Sequence, residues 1–442
     1  MDKFAGLTQN QLDCHWMPFT GNRQFKKDPR IIASAKGAYF TDSEGRQIFD
    51  ALSGLWCSGL GHGVPEITEA VSKQLSELDY SPGFQFGQTK SFELAEKVVE
   101  FMPEGLNRVF FVGSGSEAAD TSLKIARAYW RKKGQATKTK LIGRTKGYHG
   151  VNFGGISVGG IGPNRALYGD AVHADHLSHT MQKGQEFTKG QSETGAELAD
   201  EMLDLIALHD ASNIAAVIVE PLAGSAGVLP PPKDYLQRLR KICDDNNILL
   251  IFDEVICAFG RMGGNTGSEV FGVKPDMINI AKQLTNGAIP MGAVIARQEI
   301  YDTFMEAGGP EYMIELPHGY TYSAHPVGCA AGIAALDVLK ESRLIERVNQ
   351  MSAYFEEAVH SIKGAKYVSD IRNFGFAAGI TLEAAPGEPA KRPYEAAMDM
   401  WKKGFYVRYG GDTIQLGLPF ITESEEIDRL VEALGDSFNG LE

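Results

Sequence analysis

Two short, mostly apolar runs, each followed by a charged side chain, constrain the fold of this chain more than any other feature. Leu249–Phe252 is followed by Asp253, and Met277–Ile280 is followed, after one alanine, by Lys282. Apolar runs of this length between helical stretches are typical of parallel strands that are buried on both faces. Because parallel strands end at one edge of their sheet, we expect Asp253 and Lys282 to meet at that edge, where α/β proteins bind ligands.

The rest of the chain alternates in the same way from about residue 65. It predicts strands over Arg108–Val112, Lys140–Gly143, Ile214–Glu220 and Ala293–Ala296, and helices over Glu117–Lys133 and Lys233–Asn246. Strands alternating with helices indicate a mostly parallel central sheet in an α/β fold. The polar stretch from Gln182 to Glu193 is predicted to be a loop.

The two ends of the chain predict a second, smaller α+β domain. Lys36–Arg46 has the pattern of a hairpin, with Asp-Ser-Glu-Gly as its turn. After about residue 330 we predict two helical stretches, and then a strand over Phe374–Leu382, a helix over Glu395–Lys403 and a last helix from about Ser424. The predicted boundaries are 1–65 for the N-terminal part of the small domain, 66–330 for the large domain and 331–442 for the C-terminal part of the small domain.

Composition excludes several classes of protein. The chain has 442 residues, a formal net charge of −13 and an apolar fraction of 43%. An acidic chain is poorly suited to nucleic acid, whose phosphates favour a basic surface. No apolar run approaches the roughly 18 residues of a membrane span, and Met1–Ala5 does not begin a secretory signal. Five scattered cysteines predict reduced thiols in the cytoplasm.

A lysine and an acid at one sheet edge are the groups needed to hold pyridoxal phosphate. The lysine forms a Schiff base with the cofactor, and the acid pairs with its pyridinium nitrogen. Burial at the end of a strand would lower the pKa of the Lys282 amine and free it as a nucleophile. Each residue alone has a simpler explanation: Asp253 could cap a turn, and the stem of Lys282 could lie along the surface.

Three further segments add polar groups near the same edge. Gly113–Glu117 follows a predicted strand and opens a helix, which is a good place to bind phosphate, although ordinary helix capping explains it too. It lacks the third glycine of a dinucleotide fingerprint. Tyr148 lies between glycines, where it could stack on a flat ring or simply occupy a turn. Glu220 closes a buried apolar run, which is costly for a carboxylate without a partner.

Three histidines at regular spacing do not predict a metal site. His173, His176 and His179 have neither the i,i+4 spacing of a helical zinc pair nor neighbouring cysteines. We therefore predict that they are loop histidines and that the protein holds no metal.

Taken together and in order, these segments resemble the class III aminotransferases of the fold-type I pyridoxal phosphate enzymes. The resemblance covers nearly the whole chain and is most specific in Phe252–Ile256, Gly260-Arg261, Ala281-Lys282 and Gly319–Thr321. Ser53–Cys57, Gly61–Gly63 and Val407–Asp412 look most like the β-alanine (ω-amino acid):pyruvate transaminases within that class. Gln283 departs from the pattern, since a small residue is common after the lysine.

The resemblance implies a role for each cofactor-binding residue. Lys282 would bond to the cofactor and later move the substrate proton, and Asp253 would pair with the pyridine nitrogen. The phosphate would lie on Ser114, Gly115 and Ser116, and the ring between Tyr148 and Val255 with Ile256 nearby; His149, Glu220, Tyr320 and Thr321 complete the implied set. Tyr320 and Thr321 would reach the phosphate of the neighbouring subunit, so the implied assembly is a homodimer with shared sites, or a tetramer. The role of Glu220 stays open, with Arg261 or a substrate-linked group as its partner.

The resemblance also implies the reaction. Phe19, Trp56, Tyr148, Arg408 and Phe86 of the partner subunit would select the substrate, and an arginine fork is the natural clamp for a carboxylate. An ω-amino donor such as β-alanine would give its amino group to pyruvate in a ping-pong reaction, forming L-alanine and a semialdehyde or ketone.

Several alternatives stay open at this point. The donor could instead be 4-aminobutyrate, taurine or an aryl-alkyl amine. The same fold also hosts aminomutases and decarboxylases with the same lysine and aspartate. A nucleotide-binding α/β protein that uses Gly113–Ser116 is a further alternative, although the chain lacks the lysine of a P-loop.

Overall fold

The computed structural model describes residues 6–442, so Met1–Ala5, on which the secretory-signal prediction rests, lie outside the described residues. The strands are β1 Ile32–Lys36, β2 Tyr39–Asp42, β3 Gln47–Asp50, β4 Leu106–Val112, β5 Lys140–Arg144, β6 Ala174–Leu177, β7 Ile214–Val219, β8 Leu249–Asp253, β9 Met277–Ile280, β10 Gly292–Arg297, β11 Val368–Phe374, β12 Ala377–Leu382, β13 Phe405–Tyr406, β14 Arg408–Gly410 and β15 Thr413–Gly417.

The helices connect these strands along the chain. They are α1 Gln9–Cys14, α2 Asn22–Phe25, α3 Ser53–Trp56, α4 Pro65–Glu77, α5 Thr89–Glu100, α6 Gly115–Lys132, α7 Phe153–Val158, α8 Gly162–Tyr168, α9 Glu201–His209, α10 Tyr235–Asp245, α11 Gly267–Phe271, α12 Gln298–Glu306, α13 Pro326–Glu341, α14 Leu344–Ser361, α15 Lys391–Lys402 and α16 Ser424–Asn439. Short 3₁₀ turns lie at Ala196–Asp200, Ala211–Asn213 and Lys282–Thr285.

The central sheet has seven strands in the order β4-β10-β9-β8-β7-β5-β6. The pairs β5–β6, β5–β7, β7–β8 and β8–β9 are parallel. Every residue of β7, β8 and β9 is buried, as expected for strands that are covered on both faces. The α/β class and the mostly parallel sheet predicted from the sequence are confirmed.

β10 is the exception in this sheet, because it runs antiparallel to both β4 and β9. Only residues 281–291 connect β9 to β10, and this segment contains one short 3₁₀ turn rather than a crossover helix. A parallel connection needs a dozen or more residues, so a reversal of direction is the expected geometry here. The connecting segment runs along the sheet edge and carries Lys282.

Two smaller sheets are built from the two ends of the chain. One has the order β1-β2-β3-β13, in which β13 from the C-terminal part pairs in parallel with β3 from the N-terminal part. The other has the order β11-β12-β15-β14. This pairing supports the boundaries 1–65, 66–330 and 331–442, which we retain as a proposal, although the last boundary falls within α13.

Two local predictions were wrong in detail, and a third was confirmed. Phe374–Leu382 is not one strand: Phe374 ends β11, Gly375 takes a φ of 55° and reverses the chain, and Ala377–Leu382 forms β12. The hairpin predicted at Lys36–Arg46 is confirmed, because β2 and β3 pair antiparallel around the Asp42–Gly45 turn, and β1 adds a third strand. His176 lies on β6, where its Nε2 is 2.9 Å from the carbonyl oxygen of Gly159, and is therefore not a loop histidine.

Within residues 6–442, no helix is both long enough and apolar enough to cross a membrane.

Candidate active site

The central sheet brings the three predicted charged side chains to one edge. Glu220 follows β7, Asp253 ends β8 and Lys282 follows β9, and these strands are neighbours in the sheet. All three residues line one cavity of about 280 Å³. The other predicted site residues that line it are Ser114, Gly115, Ser116, Tyr148, Val255 and Ile256.

Asp253 is held by a buried hydrogen bond to His149. The Nδ1 atom of His149 lies 2.8 Å from Oδ2 of Asp253, and His149 is 1% exposed and Asp253 5% exposed. The backbone N–H of Val255 donates to Oδ1 of Asp253 at 3.3 Å. Because Asp253 accepts on both oxygens, its carboxylate is fixed in one orientation at the floor of the cavity. His149 thus lies behind Asp253 rather than on the cavity surface.

The amine of Lys282 lies in an environment that favours its uncharged form. Burial lowers the pKa of Lys282, the charge of Asp253 opposes this effect, and the charge of Arg408 adds a smaller lowering. The residue itself takes a φ of 49° at the start of the 3₁₀ turn. Left-handed backbone at a residue other than glycine is uncommon and clusters at functional sites. Lys282 has the nucleophilic character that Schiff-base chemistry requires.

The N-terminus of α6 forms a tight, polar corner of the cavity. Ser114 caps this helix of 18 residues by accepting from the backbone N–H of Glu117. A Cβ added at Gly115 would lie 3.0 Å from Cγ1 of Val255, so only glycine allows this close approach. Free N–H groups, a serine hydroxyl at position 116 and the positive end of the helix dipole together suit a phosphate group.

Glu220 supports Tyr148 and does not pair with Arg261. Its Oε1 accepts from the backbone N–H of Tyr148 at 2.9 Å, and burial raises the pKa of Glu220 to about 6. Arg261 instead donates to the carbonyl oxygens of Phe376 and Leu418. The prediction that allowed a Glu220–Arg261 pair was therefore wrong, because the two residues bind to different parts of the chain.

Two of the predicted substrate-binding residues come from opposite ends of the chain. Trp56 is 3% exposed and packs against β15, where a Cβ added at Gly417 would lie 2.4 Å from the Trp56 ring. Arg408 begins β14 and is half-buried. Its charge lies within electrostatic range of the cavity, since it lowers the pKa of Lys282 and opposes the rise that burial causes in the pKa of Tyr148.

Trp56 and Arg408 are not among the residues that line the cavity of this chain, and four further predicted residues do not line it either. Phe19 and Phe86 are 75% and 71% exposed. Thr321 is exposed, and the Tyr320 hydroxyl lies 3.5 Å from Oγ1 of Thr121, away from the cavity. Their roles in the site stay predictions that depend on a second subunit.

The sequence reasoning missed one wall of the cavity. It is formed by the end of the 3₁₀ turn and the segment that follows it: Thr285, Gly287, Ile289, Pro290 and Met291. The signal was present in the Asn-Gly-Ala-Ile-Pro sequence that follows Lys282, which is typical of a tight connection at a sheet edge.

Within the described part of the chain, no group of three or more His, Cys, Asp or Glu side chains is arranged to hold a metal ion.

The geometry of this edge agrees with what comparison with known proteins shows. The family model described as "Aminotransferase class-III" matches residues 20–438, which is nearly the entire chain. The chain belongs to the class-III aminotransferases. It is therefore an aminotransferase that depends on pyridoxal phosphate, as members of this class are.

Individual relatives of this aminotransferase extend over its full length. It is 60% identical to the β-alanine–pyruvate aminotransferase of Pseudomonas aeruginosa, over 97% of this chain and 96% of that protein. It is 58% identical to the ω-amino acid–pyruvate aminotransferase of Pseudomonas putida, over 100% of this chain and 99% of that protein. Among solved structures, the pyridoxal phosphate-bound amine transaminase of an uncultivated Pseudomonas species superimposes with a TM-score of 0.89 at 33% identity, over 96% of this chain and 98% of that one.

The residues of this aminotransferase fit the cofactor. The cavity offers a glycine-lined helix N-terminus for a phosphate, a fixed carboxylate for a ring nitrogen and a buried amine for a carbonyl group. Behind Asp253, Nε2 of His149 is a buried polar atom that has no hydrogen-bond partner among the described residues.

Proposed function

We propose that this aminotransferase transfers the amino group of β-alanine, or of a similar ω-amino acid, to pyruvate. The products are L-alanine and a semialdehyde, malonate semialdehyde for β-alanine. The observation that carries the proposal is the position of Arg408 on β14, paired with β15, against which Trp56 packs; its charge also lowers the pKa of the Lys282 amine. Both β-alanine and pyruvate carry a carboxylate, and a guanidinium binds a carboxylate through two parallel hydrogen bonds. The relatives at 60% and 58% identity support this choice of substrates.

The chain supplies the proton transfer and the charges for this reaction. When bound, pyridoxal phosphate supplies a carbonyl group that takes up the amino group and a ring that accepts negative charge. Lys282 takes the proton from the substrate carbon that bears nitrogen; proton transfer by a positioned side chain typically contributes about 10²–10⁴-fold. Asp253 keeps a proton on the ring nitrogen, and the hydrogen bond from His149 keeps the Asp253 carboxylate in place.

The remaining cofactor contacts follow from the lining of the cavity. Ser114, Gly115 and Ser116 hold the phosphate group at the N-terminus of α6. Tyr148 would hold one face of the ring and Val255 with Ile256 the other, since all three line the cavity. Glu220 accepts from the backbone N–H of Tyr148 and so keeps Tyr148 in position. This is the role that we propose for the Glu220 carboxylate.

The substrate side of the site is completed by a second subunit. Trp56 and Phe19 of one subunit form an apolar wall together with Phe86 of the partner subunit. Tyr320 and Thr321 of each subunit bind the cofactor phosphate in the site of the other subunit. The exposure of Phe19, Phe86 and Thr321 in the single chain supports this arrangement. The proposed active unit is thus a homodimer. The molar mass measured by light scattering distinguishes this dimer from a tetramer. The five free cysteines support a cytoplasmic location.

A panel of amino donors with pyruvate as the acceptor tests the proposal. We expect β-alanine to give a high kcat/KM with stoichiometric formation of L-alanine. It should also change the absorbance of the holoenzyme, and pyruvate should reverse that change. If 4-aminobutyrate, taurine or 1-phenylethylamine exceeded β-alanine in kcat/KM by about tenfold, the proposed donor would be wrong. If the holoenzyme converted many equivalents of β-alanine without consuming pyruvate, the transaminase reaction itself would be wrong.

A further inference from the structure

The segment that carries Trp56 has a strained backbone. Ser53 has a φ of 49°, Gly54 has a φ of 66° with a ψ of −101°, and Trp56 has a φ of 68°. Three residues out of four consecutive ones thus lie in the left-handed region, which residues other than glycine avoid. Such backbone persists only where surrounding contacts hold it in place.

Asp50 supplies the first of these contacts from the end of β3. It is fully buried, and its Oδ2 accepts from the backbone N–H of Gly54 at 2.5 Å. Its Oδ1 accepts from the backbone N–H of Leu52 at 3.2 Å. Nε2 of His62 also lies 2.8 Å from Oδ2, so both carboxylate oxygens of Asp50 have hydrogen-bond partners, two backbone N–H groups and one histidine.

Arg261 supplies the second set of contacts from the opposite side. Its guanidinium donates to Oγ of Ser53 at 3.1 Å and to the carbonyl oxygen of Leu418 at 2.5 Å. Ser53 in turn donates to the carbonyl oxygen of Gly417 at 2.6 Å. Arg261 is 1% exposed and binds these neutral oxygens, and burial lowers its pKa to about 9.

The same guanidinium lies over the Trp56 ring. Its central carbon is 5.6 Å from the centroid of that ring and 4.8 Å from the centroid of Phe420. The Trp56 ring also lies directly on the backbone of Gly417. An arginine that holds both the backbone of the segment and its aromatic ring leaves the tryptophan little freedom to move.

We propose that Asp50 and Arg261 are positioning residues for substrate selection: they fix the Trp56 segment, and through it the size of amino donor that the enzyme accepts. The inference rests on the proposed role of Trp56 as part of the substrate wall. Asp50, Arg261 and Trp56 are all outside the lining of the single-chain cavity. Asp50 and Arg261 contact the Trp56 segment directly, through Gly54, Ser53 and the Trp56 ring, so both act through Trp56 rather than on the substrate or cofactor.

The test measures donor selectivity in the holoenzyme, as the ratio of kcat/KM for β-alanine to kcat/KM for 1-phenylethylamine. Asp50→Asn and Arg261→Lys should each lower this ratio by about tenfold, mainly through a lower KM for the bulkier 1-phenylethylamine, with an unchanged cofactor spectrum. His62→Leu leaves the backbone contacts of Asp50 in place and should lower the ratio less, by about threefold; it keeps the test informative if the other variants fold poorly.

Asp42→Asn is the matched control. Asp42 is another buried aspartate, 4% exposed, that accepts from the backbone N–H groups of Glu44 and Arg46 in a turn outside the site. Its variant should lower the melting temperature and leave the selectivity ratio at the wild-type value. If the Asp42 variant moved the ratio as much as Asp50→Asn, a general loss of stability would explain the effect and the proposal would be overturned.

A double-mutant cycle separates this proposal from the proposed function. In a Trp56→Ala background, Asp50→Asn should no longer change the ratio, because its effect passes through the removed ring. An equal change in both backgrounds would overturn the positioning role. A Trp56→Ala variant with wild-type selectivity would instead overturn the substrate wall in the proposed function.

Discussion

The two sides of the candidate site are built in different ways. The cofactor side stands on the buried ends of β7, β8 and β9, with Asp253 held by two hydrogen bonds. The substrate side is formed by Ser53–Trp56 near the N-terminus, whose backbone is partly left-handed, and by the three-residue strand β14 near the C-terminus. The difference indicates that the sheet determines the chemistry, whereas the two ends of the chain determine which donor is accepted.

Removing the amine of Lys282 should have the largest effect on the cofactor side. Lys282→Ala should lower transamination by about 10⁴-fold, because no other amine can carry the substrate proton. The variant should still bind the cofactor, as measured by equilibrium dialysis with pyridoxal phosphate. Lys274→Ala, which changes an exposed lysine near the opposite end of β9, is the control and should keep wild-type turnover. Wild-type turnover of the Lys282 variant without added amine would show that the assignment is wrong.

Asp253→Asn should have the second-largest effect on turnover. An amide in place of the carboxylate removes the negative charge that holds a proton on the ring nitrogen, so we expect kcat to fall by about 10²–10³-fold. The absorbance of the bound cofactor should also change, since the ring environment differs. A loss of less than threefold, with intact cofactor binding, would contradict the proposed charge on the cofactor side.

Arg408→Ala probes the substrate side. Loss of a charged pair of hydrogen bonds should raise KM for both β-alanine and pyruvate by about 10–100-fold. KM for 1-phenylethylamine, which has no carboxylate, should change much less. Arg429→Ala changes an exposed arginine that donates to the Tyr39 hydroxyl, and it serves as the control with unchanged KM values. Equal effects of the Arg408 variant on both donors would contradict the carboxylate clamp.

Thr321→Ala tests whether the cofactor side includes a second subunit. We expect cofactor affinity to fall by about 5–10-fold, as loss of one hydrogen bond to a charged group would cause. Mixed dimers of Thr321→Ala and Lys282→Ala chains carry one site with neither change. That site should bind cofactor with wild-type affinity and turn over. If no mixed dimer recovered a site with wild-type affinity and turnover, each site would carry one of the two changes, and the sharing between subunits would be wrong.

The smallest effect concerns stability on the cofactor side. Glu254 follows Asp253, is fully buried and accepts from the backbone N–H groups of Gly267 and Ser268. Burial raises its pKa from 4.5 to about 7, so the folded state favours the protonated acid. The stability from this group is therefore present below the unfolded pKa and is lost as the pH rises through about 7.

Comparing the wild type with Glu254→Gln isolates this contribution. Between about pH 5 and pH 8, unfolding free energy should fall on the order of 2 kcal/mol more in the wild type than in the variant, as measured by urea denaturation. Activity should change little at the pH where both are folded. A parallel pH dependence in the two proteins would contradict the raised pKa.

The sequence predicted much of the central sheet and most of its cavity. Apolar runs, helix periodicity and strand-end charges are local features, and parallel strands bring such charges to one edge by geometry alone. The cavity accordingly contains Ser114, Tyr148, Asp253 and Lys282 as neighbours. The reversed direction of β10 was not predicted, since it depends on the length of a connection whose ends had not been located.

What the sequence by itself determined is the set of groups at the sheet edge, because strand ends and helix starts are encoded within a few residues of each group. The tertiary structure alone decided how distant segments meet. It places the Arg261 guanidinium over the Trp56 ring and the backbone of Gly417 against the same ring. It also pairs the Glu220 carboxylate with the backbone N–H of Tyr148 rather than with Arg261. Such contacts depend on the path of the whole chain, and the local sequence patterns of residues 53–56 and 413–417 do not predict which distant residues they meet.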